Sequence, residues 1–79
     1  MTRALAHALA PNIRVNAIAP GTVLLPTDWD ADDAAHLVRT TPLRRLGEPA
    51  DVSRAMLYLI EADYVTGDVL VVDGGRSVR

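Results

Sequence analysis

Four consecutive apolar residues, Val69-Leu70-Val71-Val72, stand between Gly67 and the pair Gly74-Gly75. No other segment constrains the fold as strongly. A strand wetted on one face alternates apolar and polar side chains. An unbroken apolar run between turn signals is the pattern of a strand covered on both faces, as in a parallel sheet with helices above and below. Parallel pairing requires a second strand reached by a crossover. Ile13 to Ala19 supplies it: Ile13, Val15 and Ala17 point one way, Arg14, Asn16 and Ile18 the other. Pro20-Gly21 ends this strand, because proline lacks the ladder N–H and glycine admits φ > 0.

The segments around the strands read as helices. Thr2 to Ala10 is rich in Ala and Leu, and Pro11-Asn12 stops it. A short helix is predicted from about Ala31 to Arg39, with Asp30 as its N-cap and further acids in its first turn, where the helix dipole favours them. Gly47-Glu48-Pro49 opens the longest helix, with Pro49 at the first helical position. Val52, Ala55, Met56, Leu59 and Ile60 recur at i, i+3, i+4, i+7 and i+8, a stripe wide enough to lie on a sheet. The order is αβααβ, an α/β rhythm, with the two strands expected parallel and the Val52–Ile60 stripe against them. Two strands alone leave both edges of the sheet unpaired. The domain is therefore expected to be incomplete, or completed by another segment or by oligomerisation.

Several chemistries are excluded by composition. The chain has 79 residues and a formal net charge of −2, enough for one small domain and no electrostatic footprint for nucleic acid. A chain of this length buries only about 60–65% of its unfolded surface, so its stability margin is thin. With no cysteine there is no disulfide, thiolate metal site or thiol nucleophile. All eight basic residues are arginines, so no mechanism that needs a lysine ammonium is complete here. No apolar run approaches the roughly 18 residues of a membrane span. Arg3, His7 and Pro11 interrupt the N-terminal stretch, which does not read as a signal peptide. A cytoplasmic location is expected.

Other polar clusters have ordinary readings. Asp28, Asp30, Asp32 and Asp33 are spaced like the start of a calcium loop, but Asp33 stands where glycine is needed and Arg39 where the closing acid belongs. Capping and a solvated helix face explain them. His7 and His36 lack a second ligand at helical spacing, so no metal site is expected. Trp29 either stacks on a planar substrate or packs on the core. Arg44 and Arg45 either meet a phosphate or are solvated.

Four segments together resemble one family. Ile13-Arg14-Val15-Asn16-Ala17-Ile18-Ala19-Pro20-Gly21 resembles the sixth strand and following turn of the short-chain dehydrogenase/reductases. Pro42-Leu43-Arg44-Arg45-Leu46-Gly47-Glu48-Pro49-Ala50-Asp51-Val52 resembles their linker into the last large helix. Tyr64-Val65-Thr66-Gly67 and Val72-Asp73-Gly74-Gly75 resemble their final turn and strand. Each segment is weak evidence alone, but their order and spacing are specific. The resemblance implies a fold: residues 1–79 as a single incomplete domain, the C-terminal αβααβ fragment of a Rossmann-like doubly wound parallel sheet, with a lid segment at about 22–44.

The same resemblance implies roles. Pro20, Gly21, Thr22 and Val23 would lie beside the nicotinamide of NAD or NADP, with the Val23 amide at the carboxamide. Position 25 is often Thr in the family; Leu25 here cannot make that side-chain hydrogen bond. Leu24, Leu25 and Trp29 would belong to the substrate lid. The apolar loop followed by acids, and the ending Val72-Asp73-Gly74-Gly75-Arg76 with a terminal Arg, are similar to the pteridine reductase-like branch. The family's glycine-rich pyrophosphate turn has no counterpart here. Nor has its Tyr followed four residues later by Lys: Tyr58 is followed by Ala62 and Tyr64 by Asp68. No catalytic residue is therefore assigned. The implied role is the C-terminal part of an NAD(P)-dependent oxidoreductase acting on a small molecule. It would supply the nicotinamide-side loop, the lid and a subunit interface through the final helix and strand, with the isolated chain inactive. The alternatives are a non-catalytic module that complements an N-terminal half or self-associates, and the product of a truncated reading frame.

Overall fold

The structure is a computed structural model and describes residues 1–21 and 30–78. The elements are α1 (Thr2–Leu9), β1 (Ala17–Pro20), α2 (Ala31–Thr40), α3 (Pro49–Glu61) and β2 (Val69–Val72), followed by one 3-10 turn over Arg76–Val78. β1 and β2 pair in parallel, with Ala17 opposite Val69 and Pro20 opposite Val72. The αβααβ order and the parallel pair are as expected from the apolar patterning, but cover on both faces of β2 is not. Leu70 and Val72 are half-buried while Val69 and Val71 stay exposed, because among the described residues only one neighbouring strand and one helix pack against it.

The first strand is shorter than predicted and displaced. Its ladder begins at Ala17 rather than Ile13 because the preceding residues face a turn instead of β2. The Val15 N–H donates to Thr66 Oγ1 (3.1 Å), and the Val15 carbonyl accepts from the Gly67 N–H (2.8 Å). The Asn16 amide spans the same turn, donating to the Val65 carbonyl (3.0 Å) and accepting from the Asp68 N–H (3.0 Å). Side chains thus satisfy backbone groups that a ladder would otherwise pair. Pro20 is tolerated because it is the last ladder residue, where a missing N–H costs least. The Gly21 N–H then donates to the Val72 carbonyl (2.8 Å).

α2 begins at its predicted cap. The Asp30 carboxylate accepts from the Asp33 N–H (3.0 Å) and the Asp33 carboxylate from the Asp30 N–H (3.1 Å), a reciprocal closure of the first turn. α3 begins at Pro49 as read, and the Asp51 carboxylate accepts from the Glu48 N–H (2.7 Å).

The apolar stripe of α3 is only partly turned inward. Leu59 is buried and Val52 and Ala55 are half-buried, whereas Met56 is 48% and Ile60 64% exposed. A two-stranded ladder of four residues is too narrow to cover both rows of the stripe, so the i+4 and i+8 positions overhang it. Among the described residues only Ala6, Leu37 and Leu59 are buried apolar side chains, together with Thr41. The Cα radius of gyration is 15.3 Å, against about 12 Å for a compact domain of this length. Among the described residues, no helix is long and apolar enough to cross a membrane.

Candidate functional site at the carboxyl edge of the strand pair

Because β1 and β2 are parallel, their carboxyl ends emerge side by side and bring Pro20-Gly21 next to Val72-Asp73-Gly74-Gly75. This is the edge at which open parallel α/β sheets bind ligands. Glycine serves two different purposes here. A Cβ on Gly21 would stand 2.9 Å from both Cα and Cβ of Asp73, so Gly21 permits close approach of two backbones. Positive φ, the reason expected for Gly21, is found instead at Gly74 (66°) and Gly75 (91°). Those two residues fold the end of β2 back onto the α2–α3 connection. The Gly74 carbonyl accepts from the Leu43 N–H (2.9 Å), and a Cβ on Gly74 would stand 2.9 Å from Thr41 Cγ2.

The Asp73 carboxylate staples this turn, accepting from the Gly75 and Ser77 N–H groups, each at 2.9 Å. Partial burial pushes its pKa up, but the hydrogen bonds from Ser77, Gly75 and Arg76 outweigh that and hold it below the usual value. Arg76 Nη1 donates to Thr40 Oγ1 (2.9 Å), joining the turn to the end of α2. A cleft of ≈ 480 Å³ opens at this edge, with Gly21, Leu37, Leu43, Val71, Asp73 and Arg76 among its walls.

Among the described residues, the charged side chains at the cleft are already engaged. The Asp73 oxygens are engaged by main-chain donors. Arg45 and Arg54, also at the cleft, both pair with Asp51, at 2.9 and 3.2 Å. The Arg45 hydrogen bond is the main reason the Asp51 pKa falls from 3.8 to about 2. Tyr58 is 55% exposed and Tyr64 fully exposed, with neither at the cleft. Among the described residues, no three His, Cys, Asp or Glu side chains cluster as metal ligands would.

Of the residues singled out from the sequence, Pro20 and Gly21 lie at this edge. Thr22, Val23, Leu24, Leu25, Trp29 and Asp28 lie outside the described residues. Of the lid segment 22–44, the described part is Asp30 onward, and its Leu37, Thr41 and Leu43 line the cleft. Arg45 pairs with Asp51 while its side chain stays 56% exposed, a solvated surface pair. Arg44 sits in a turn at φ 59°. Sequence reasoning missed Asp73 as a staple; its only signal was an acid directly before Gly74-Gly75.

Residues 1–77 match the family model described as Enoyl-(Acyl carrier protein) reductase. The chain is 55% identical over 79 residues to carbonyl reductase family member 4 of Danio rerio, an overlap of 98% of this chain and 32% of that protein. It is 49% identical over 79 residues to the 3-oxoacyl-(acyl-carrier-protein) reductase of Homo sapiens, again 98% of this chain and 32% of the relative. The solved structure of FolM alternative dihydrofolate reductase 1 from Brucella canis, complexed with NADP, superposes with a TM-score of 0.88 at 41% identity, over 99% of this chain and 31% of that one. This chain spans about a third of the length of these relatives. Similar solved structures hold NADPH, NAD+ or NADP. With family model, curated relatives and solved structures all aligned along nearly its whole length, the chain belongs to the short-chain dehydrogenase/reductase family and corresponds to its C-terminal region.

Proposed function

We infer that the chain forms the nicotinamide-side wall and substrate lid of an NAD(P)-dependent reductase that moves hydride between the cofactor and a small carbonyl compound. One observation carries this reading. The parallel pair ends in two closely apposed backbones, Gly21 against Asp73, beside a cleft at the edge where such sheets take their ligands. Residues 20–23 meet the nicotinamide end of the cofactor, which supplies or accepts the hydride. Leu24, Leu25 and Trp29 close over the substrate. The fit to the cofactor extends to that end only, since the chain has no glycine-rich turn for the pyrophosphate. The proton donor and the lysine of the family are likewise outside these 79 residues, so the chain by itself does not turn over substrate.

The remaining sheet and the catalytic Tyr and Lys come from protein that precedes this segment in the family's order, and the complete protein works in the cytoplasm. Met56, Leu57 and Ile60 on α3, and Val69 and Val71 on β2, are about half exposed or more. They serve as contacts to that protein or to a second subunit. The relatives' carbonyl and oxoacyl substrates make a ketone or a thioester-linked 3-oxoacyl group the first to assay; the pterin branch is the second, favoured by the likeness to FolM.

The test is complementation. The chain is mixed with a polypeptide that carries a family glycine-rich turn and Tyr-x-x-x-Lys segment, and NADPH oxidation is followed with each carbonyl. Turnover by the mixture and by neither part alone is the expected result. Turnover by the 79 residues alone would overturn the assignment of the missing machinery, and a mixture that binds neither cofactor nor partner would overturn the reading as a whole.

A further inference from the structure

α3 ends without the usual means of satisfying its last carbonyls. There is no basic residue in its final turn, and its C-cap, Ala62, is not in the left-handed conformation. Instead a guanidinium arrives from 45 residues earlier. Arg14 Nη1 donates to the carbonyls of Leu59 (2.8 Å) and Ala62 (3.0 Å), with a longer contact to that of Val65 (3.4 Å). Arg14 Nη2 donates to the Ile60 carbonyl (2.9 Å). A cation placed at the negative end of a helix is favourable, and the planar fork of arginine reaches several acceptors at once where an ammonium is a single point. The residues that follow, Val15 and Asn16, grip the Val65–Asp68 turn that delivers the chain into β2. The Val65 carbonyl is shared by Asn16 and Arg14.

The geometry points to Arg14 as a three-way joint, a positioning residue that fastens the end of α3 and the entry of β2 to β1 as one unit. With only three buried apolar side chains among the described residues, hydrophobic packing supplies little to hold these elements in register. Polar links of long sequence separation then carry the coupling. The Gly21–Asp73 approach at the cleft depends on β1 and β2 keeping that register. The joint is independent of the proposed redox role, and its test reads no activity.

The measurement is amide hydrogen exchange on the full chain as wild type, Arg14→Ala, Arg14→Lys and, as a control at an exposed arginine of α1, Arg3→Ala. In Arg14→Ala, protection is expected to fall about tenfold or more together at Ala62, Gly67, Ala17 and Gly21, amides of three separate elements. Arg14→Lys is expected to restore helix content by circular dichroism but only part of that protection, and Arg3→Ala to leave all four amides unchanged. Loss confined to Ala62 would reduce Arg14 to a local helix cap and overturn the joint. Wild-type protection in either Arg14 variant, or no protection of these amides in the wild type, would overturn it too.

Discussion

An added methyl at Gly21 would stand 2.9 Å from backbone and side-chain carbons of Asp73, and the neighbouring strand cannot yield without loosening the ladder. Arg44 presents the opposite case, a bulky residue held at φ 59°, where an L side chain crowds its own carbonyl. Gly21→Ala is therefore expected to destabilise the chain by about 1–3 kcal/mol, as overpacking does. Arg44→Gly is expected to stabilise it by about 0.5–1 kcal/mol, since relief of strain exceeds the extra freedom given to the unfolded chain. Urea unfolding of the two variants beside the wild type measures both. Pro20-Gly21 was legible in the sequence as a strand-ending turn, but the reason for its glycine was not. Close approach depends on what lies across the sheet, and Asp73 is 52 residues away.

At the scale of elements, α3 hangs from both of its ends. At the start, the Asp51 carboxylate accepts from the Glu48 N–H and pairs with Arg45 and Arg54. These contacts, that of Arg45 foremost, hold its pKa at about 2 against an ordinary 3.8. A depressed pKa means that the contribution is fully present above the unfolded value and is lost as pH falls through the folded one. Asp51→Asn is accordingly expected to lower the unfolding midpoint at neutral pH and to flatten the decline between about pH 4 and pH 2; an unaltered acid limb would show that the ion pairs contribute nothing. Pro49 and the Asp30 cap could be read in advance because caps are local chemistry. The inward row of α3 could be read only in part: periodicity shows how wide an apolar stripe is, not how wide a surface awaits it. The Arg14 contact gave no signal at all, since nothing in a sequence couples a residue ahead of β1 to a helix end 45 positions later.

Taken whole, the molecule is elongated, 48 × 22 × 20 Å. It has a two-stranded sheet and apolar side chains left outward on α3 and β2. A pair of strands this short is marginal without further strands or helices against it. The family match covers residues 1–77, and the relatives are about three times as long as this chain. The αβααβ order and parallel pairing followed from the apolar run at Val69–Val72, while the extent of the uncovered surface needed coordinates. The most direct measurement is isotope-filtered NMR on the labelled chain bound to a complementing N-terminal half and NADP. Nuclear Overhauser effects from nicotinamide ring protons to the backbone amides of Gly21, Thr22 and Val23 are expected. A cofactor that binds the complex and shows contacts only elsewhere, or a chain that remains a monomer indifferent to the N-terminal half, would contradict the placement of this segment at the nicotinamide wall.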